Sequence, residues 1–221
     1  MIERLKSVLI LLGSLAAGCS GTAPPDGPAA APRPEVPAAS SAGQQEQQQV
    51  AQAAREALAS RLGGKLMEAL KTSGPSAAIG VCQEQAPQIA QEVGEQFGVA
   101  IGRTSFRLRN PQNAPPEWAQ PLVAARQGDP QVLPLPAGQL GVLWPIRLRA
   151  ECLLCHGPQE QVLPEIREAL AARYPEDQAT GFNVDDLRGW FWITVPAGAR
   201  LPAASPAASG EGTAESEGGE A

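Results

Sequence analysis

Five consecutive residues, Cys152-Leu153-Leu154-Cys155-His156, hold the densest chemistry in the chain. Two thiols three positions apart project from one helical turn or tight loop. Both can then reach the two vinyl groups of one porphyrin, and the imidazole that follows falls beneath its iron. The spacing is the attachment signal for a c-type haem. Two other chemistries share the C-x-x-C half. A redox disulfide expects a β–α–β setting, which the flanking pattern lacks. A zinc centre needs two more ligands. Cys82 and His156 would complete a Cys3His set, but adjacent Cys155 and His156 would then have to close on one tetrahedral ion, which is awkward. One covalent haem is therefore the expected cofactor.

His156 is the only histidine among 221 residues. That excludes a poly-His zinc centre, a bis-His haem within one chain, and Ser-His-Asp chemistry independent of His156. The sixth iron position must be filled by Met67, Lys65, Lys71 or Cys82, or stay open. Met67 flanks Leu66 on an apolar helix, where a core role serves equally well. Cys82 is unpaired after export if Cys152 and Cys155 hold haem and Cys19 holds lipid, and an odd thiol outside the cytoplasm must be buried or used. A soft sulfur ligand suits iron; a small core residue is the other reading. Haem carboxylates need cationic partners. Arg103, Arg107 and Arg109 share an extended stretch, and Arg188 follows an acidic pair. Surface pairing with Asp177, Asp185 or Asp186 is their alternative role. Asn110 and Asn113 suit loop-fixing bonds to backbone. Trp118, Trp144, Trp190 and Trp192 read as core or haem-wall aromatics.

The elements that must position these groups are mixed. Val50, Ala54, Leu58, Leu62, Leu66 and Leu70 recur every four residues, one apolar stripe on a helix over about 45–71. Gly74-Pro75 stops it. A second helical run covers about 76–97, with Ile79, Cys82, Ala86, Ile89 and Val93 on one stripe, so Cys82 should be buried; Pro87 should break or kink it. Residues 99–108, 140–148 and 190–195 read as strands, 117–127 and 165–174 as helices, the last ended by Pro175. Helices first and interspersed strands afterwards imply an α+β domain around an antiparallel sheet.

The two ends read differently. Arg4 and Lys6 precede an apolar run, Ser7–Leu15, then Ala16-Ala17-Gly18-Cys19. This resembles a bacterial lipobox, so residues 1–19 are expected to be a lipoprotein signal with Cys19 lipidated; an ordinary signal peptide with a spare Cys is the alternative. Ser20 favours the outer membrane, with the chain in the periplasm and touching the membrane through its lipid only. Residues 20–43 are a Pro/Ala-rich linker and 200–221 an acidic disordered tail, leaving 44–199 to fold. With 17 Lys and Arg against 23 Asp and Glu, the net charge is -6, and no basic footprint exists for nucleic acid.

From Ala78 to Val195 an ordered set of motifs resembles a family of bacterial single-haem c-type domains, formerly of unknown function, with a cyanobacterial type member. The set is Ile79-Gly80-Val81-Cys82, Ala86-Pro87, Gly102-Arg103-Thr104-Ser105 and Arg109-Asn110-Pro111-Gln112-Asn113-Ala114-Pro115. It continues with Trp118, Pro145-Ile146, Cys152 to Gly157, Tyr174-Pro175-Glu176-Asp177, Ala179, Gly181, Asp186, Arg188 and Gly189. The resemblance implies a PAS-like fold and His/Cys axial ligation, with His156 and Cys82 as the iron ligands. Phe182 stands where the pattern has Tyr, and Asp185 where it has Gly. Arg103, Arg109 and Arg188 are the candidates to meet the haem carboxylates.

A thiolate ligand stabilises ferric iron and lowers the potential. The expected role is thus redox or small-gas sensing, read by a separate signalling or redox protein; a low-potential periplasmic electron carrier is the alternative. Peroxidase chemistry needs a distal acid–base group, and no second His supplies one, so no enzyme activity is expected. The anchor has a direct test. Cells fed radiolabelled palmitate should label the wild type and not Cys19→Ala; equal labelling of both would remove the anchor.

Overall fold

A computed structural model describes residues 41–203, all within the unit Ala38–Ala221. The expected signal peptide with Cys19, most of the expected linker and nearly all of the expected acidic tail lie outside the described residues. No described helix is long and apolar enough to cross a membrane.

Helix α1 (Ser41–Gly80) breaks where the sequence predicts, at Gly74, whose φ of 80° and ψ of -177° only glycine adopts freely. The chain resumes at Pro75 as a second helical run. Pro87 does not end that run. Its missing N–H and its ring disturb the preceding turn, and Val81–Gln85 widens into one π turn, closed by the Ala86 N–H donating to the Val81 carbonyl, before α2 (Ala86–Phe97) continues. Cys82 lies in that turn. It is half-buried rather than fully buried, while Val81, Ala86, Ile89 and Val93 around it are buried. π turns of this kind recur at functional sites.

Four strands follow: β1 (Ala100–Thr104), β2 (Gln131–Pro134), β3 (Leu140–Arg147) and β4 (Leu187–Val195), antiparallel in the order β1-β4-β3-β2. Short helices α3 (Gln120–Ala124), α4 (Leu153–His156) and α5 (Pro164–Arg173) lie between them. The domain is α+β, with its helices ahead of an antiparallel sheet, as the patterning implies. Side chains alternate across β4. Ile193 and Val195 face Val50, Ala54, Leu58, Val93 and Val142; Trp190 and Trp192 face Leu143, Ala119 and Val123 on the other side. Burial on both faces explains why these strands read as continuous apolar runs. Each such Leu, Ile or Val contributes about 1.5–3 kcal/mol when fully buried.

Two extended stretches differ from expectation. β1 ends at Thr104, short of Leu108, because the Ser105 hydroxyl donates to the Arg188 carbonyl at 2.6 Å and accepts from the Arg107 N–H at 3.0 Å, turning the chain out of the ladder. Arg107 and Arg109 are therefore loop residues. β2 is a short edge strand ending in Pro134, too brief and too interrupted to show in the pattern. Residues 117–124 split into a 3-10 turn and α3.

Asp185 occupies the left-handed region at φ 67°, its N–H donating to the Leu148 carbonyl at 2.8 Å. An L side chain is strained there and glycine is not. Replacing it, Asp185→Gly, should raise stability by roughly 0.5–1 kcal/mol net of glycine's entropy. Urea unfolding checks this; a loss of stability would show that the aspartate relieves its own strain.

Candidate functional site

The stripe on α1 that begins in the core, at Val50 and Leu58, ends at Leu66 and Leu70 on the wall of a cavity of about 280 Å³. Into this cavity come Cys82 from the π turn, Arg103 and Thr104 from β1, Arg109 from the loop after it, Cys152, Cys155 and His156 from the C-x-x-C-H turn, and Arg188 from β4. Every folded-domain site residue expected from sequence thus lines one space. Cys82, Cys152 and Cys155 form no disulfide. Among the described residues no three His, Cys, Asp or Glu side chains converge closely enough to hold an ion alone. Met67 is 42% exposed and is not on the cavity wall.

The C-x-x-C-H turn is built by Ala150–Cys152 and α4, and Gly157 closes it with its N–H on the Leu153 carbonyl at 2.9 Å. A Cβ on Gly157 would lie 2.7 Å from that carbonyl, so only glycine closes the turn this tightly. The imidazole of His156 is oriented by one strong contact: its Nδ1 lies 2.7 Å from the Ala179 carbonyl. Arg188 Nε lies 3.3 Å from the same nitrogen. Nδ1 can donate its proton to the carbonyl or accept from Arg188, not both. The shorter contact requires Nδ1–H to donate to Ala179, which leaves the Nε2 lone pair for a metal. Burial, followed by the charges of Arg109 and Arg188, holds the imidazole well below its ordinary value, so it is neutral at neutral pH. Phe182 stands edge-on to the imidazole, centroids 6.5 Å apart at 83°, and carries the Arg107 guanidinium 4.3 Å above its ring.

The three arginines divide. Arg109 is committed to structure: Nε donates to Asp177 Oδ2 at 3.0 Å, and Nη2 donates to the Cys155 carbonyl at 2.6 Å and the Ala179 carbonyl at 3.2 Å. Asp177 Oδ1 in turn accepts from the Ala179 N–H at 2.7 Å. One buried ion pair thus grips both the haem-type motif and the carbonyl that orients its histidine. Arg188 donates from Nη1 to the Arg107 carbonyl at 3.2 Å, and burial lowers its pKa to about 10. Arg103 makes no hydrogen bond or ion pair among the described residues, and burial lowers its pKa while Cys82 and Tyr174 oppose that shift. Arg107 lies off the cavity, its Nε and Nη2 donating to the Gln178 and Thr180 carbonyls.

A covalent haem asks for two thiols beside one another, an imidazole nitrogen without a partner, and cations or hydroxyls for its carboxylates. The cavity meets each requirement. Thr104 adds an observation: its Oγ1 is buried and has no hydrogen-bond partner, on the same wall as Arg103. A buried hydroxyl left unpaired is costly, and a carboxylate in the cavity would satisfy both groups. Sequence reasoning missed Ala179, whose carbonyl has no residue signature. It assigned no role to Thr104 or Tyr174 and gave Asp177 only as an alternative surface partner for an arginine, although the ordered motif set contained all three; the Arg109–Asp177 pair is buried instead.

A model of the Tll0287-like family (Tll0287) matches residues 37–196 of the chain. No curated protein matches it. Among solved structures, one described as the crystal structure of the cyanobacterial heme-protein Tll0287 aligns with 28% sequence identity and a TM-score of 0.43, covering 52% of this chain and 72% of that chain.

Because the Arg109–Asp177 pair is buried at 10% exposure on each side, removing one partner strands the other charge. Arg109→Leu should lower the unfolding free energy by about 3–5 kcal/mol. A change below about 1 kcal/mol in denaturant unfolding would show that the clamp is solvated.

Proposed function

The chain belongs to the Tll0287-like family, and from that premise we propose that it is an exported single-haem c-type cytochrome domain that senses redox state or a small gas. The family label comes from Tll0287, itself described as a heme-protein. One observation carries the reading: Cys82 from the π turn and Cys152, Cys155 and His156 from the C-x-x-C-H turn line a single cavity together with Arg103, which has no hydrogen-bond or ion-pair partner among the described residues. When bound, the group would supply an iron that changes oxidation state and accepts an exchangeable ligand.

The residues divide the work as follows. Cys152 and Cys155 hold the group to the chain. His156 Nε2 would hold the iron, oriented through Nδ1 by Ala179. Cys82 would supply a sulfur ligand from the π turn. Arg103 and Thr104 meet carboxylates. Arg109 does not; it anchors the motif. Arg188 lies beside the imidazole edge, adding positive charge near the histidine rather than serving as a free carboxylate partner. With a single histidine in the chain, no second imidazole supplies the distal acid–base group that a peroxidase would use.

The sensing reading follows from the sulfur. A thiolate favours ferric iron, and its loss on reduction, oxidation or displacement would change the sixth position. A low-potential electron carrier is the second reading. It is favoured by Glu151 and Leu154, which are exposed and line the cavity, marking a rim where a haem edge would meet a partner. The lipid anchor proposed at Cys19 would hold either kind of module in the periplasm at the outer membrane.

Electron spin resonance of the mature ferric protein should give a low-spin thiolate-type signal, and Cys82→Ala should abolish it while leaving haem covalently attached. An identical signal in the variant would show that another residue holds the sixth position.

A further inference from the structure

A second cavity, of about 150 Å³, lies beside the first along β1, an edge strand of the sheet. The two spaces share Cys82, Arg103, Asn110 and Asn113. The haem reading uses the first two of these and leaves the rest of the second wall without a role. Part of that wall is apolar, formed by Pro87 and Ala90 from α2 and Ile101 from β1. The rest carries nitrogen: Arg103, Gln112, Asn113 and the indole of Trp192. Among the described residues that line it, none is acidic.

These nitrogen groups lack acceptors. Asn110 fixes its loop as its residue type suggests, Oδ1 accepting from the Gln112 N–H at 3.0 Å. Asn113 does so only through its backbone, whose N–H donates to the Asn110 carbonyl at 3.0 Å. The side chains of Asn113, Gln112 and Arg103 make no hydrogen bond among the described residues. Trp118 and Trp190 donate their indole N–H groups, to Thr194 Oγ1 at 3.0 Å and to the Gln127 carbonyl at 2.7 Å. The indole of Trp192 donates to nothing in the described chain. Gly102 sets where that indole lies, because the two residues face each other across the β1–β4 ladder. A Cβ on Gly102 would stand 2.6 Å from Cζ2 of Trp192 and 2.8 Å from its Nε1. The ring edge that bears the N–H therefore crosses Gly102, itself on the cavity wall.

We propose that this second cavity binds a short-chain monocarboxylate, its carboxylate on Arg103, Asn113 and the Trp192 N–H and its carbon chain on Pro87, Ala90 and Ile101. One cation and no acid suit a single negative charge. The apolar side distinguishes an organic acid from an inorganic anion, since ligand sites join an apolar lining to a few convergent polar groups. A water needs about 10–15 Å³ of such space, so the cavity holds roughly ten waters, or an acid of a few carbons. A guanidinium carries several N–H donors in a planar fork that matches a carboxylate. Arg103 can thus serve this acid on one side and a haem carboxylate on the other. The remaining donors belong to the second cavity alone or line it without a haem role, so the site stands apart from the haem reading.

The test is calorimetric titration of butyrate into the full, haem-loaded chain, with haem content measured by absorbance. Butyrate should bind once per chain, and butyramide, its neutral isostere, should not. Formate, which keeps the charge and lacks the carbon chain, should bind about tenfold more weakly. Asn113→Asp preserves shape and places a like charge on the wall, so it should weaken butyrate by at least about tenfold. Trp192→Phe removes the N–H and should weaken it about fivefold. Should Asn113→Asp fail to fold, Gln112→Glu, on an exposed side chain of the same wall, carries the same expectation. No binding of butyrate, equal binding of butyramide, or unchanged affinity in a folded charge variant would overturn the site and leave the haem reading intact. Colourless protein that binds butyrate with this pattern would overturn the haem reading and leave the site standing.

Discussion

The Arg109–Asp177 ion pair is the constraint on which the site depends. It spans a loop, a turn and the C-x-x-C-H helix, and its two members between them bond the Cys155 carbonyl and both the N–H and the carbonyl of Ala179. That carbonyl chooses the tautomer of His156. A four-residue helix such as α4 has no stability of its own, so its geometry must be imposed from outside. A buried pair with its remaining valences satisfied by backbone does this with directional bonds rather than with packing alone. Specificity of orientation, more than net stability, is what such a pair supplies.

The sheet determines where the cavity can be. Because β3 and β4 are covered on both faces, by α1 and α2 on one side and by Trp118 and α3 on the other, the larger cavity lies at their ends, at Ile146 and Leu148 and at Arg188 and Gly189. The space opens where the α1 stripe outruns the sheet, at Leu66 and Leu70, and where β1 stops early at Thr104. The same early stop turns Arg109 inward and leaves Arg103 and Thr104 at the edge of the cavity with unspent hydrogen-bonding capacity. Close backbone approach completes the wall: a Cβ at Gly102 would lie 2.6 Å from the Trp192 ring, and one at Gly189 would lie 2.2 Å from the Thr104 carbonyl.

Much of this was legible in the residues and some was not. The helical stripes, the break at Gly74-Pro75, the β3 and β4 runs and the C-x-x-C-H turn follow from periodicity and spacing, and all are in the fold. The mixed α+β architecture follows from their order. The π turn was not legible, because Pro87 signals a disturbed turn but not whether the chain breaks or widens. Arg109 looked like Arg103, since residue type alone cannot distinguish a cation that is already paired from one that is free. Ala179 was invisible because its contribution is a carbonyl. At the two departures from the pattern, Asp185 holds a left-handed backbone and Phe182 stands edge-on to the imidazole.

A neutral imidazole and a cysteine sulfur line one pocket with three arginines, the setting that the proposed iron site would require. That description requires the group to be fixed at Cys152 and Cys155. Intact-mass measurement of protein matured in a strain competent for c-type assembly tests this most directly. Wild type should carry the mass of one haem through acid–acetone extraction, and Cys152→Ser with Cys155→Ser should lose it. A wild-type mass equal to that of the bare polypeptide would contradict the account.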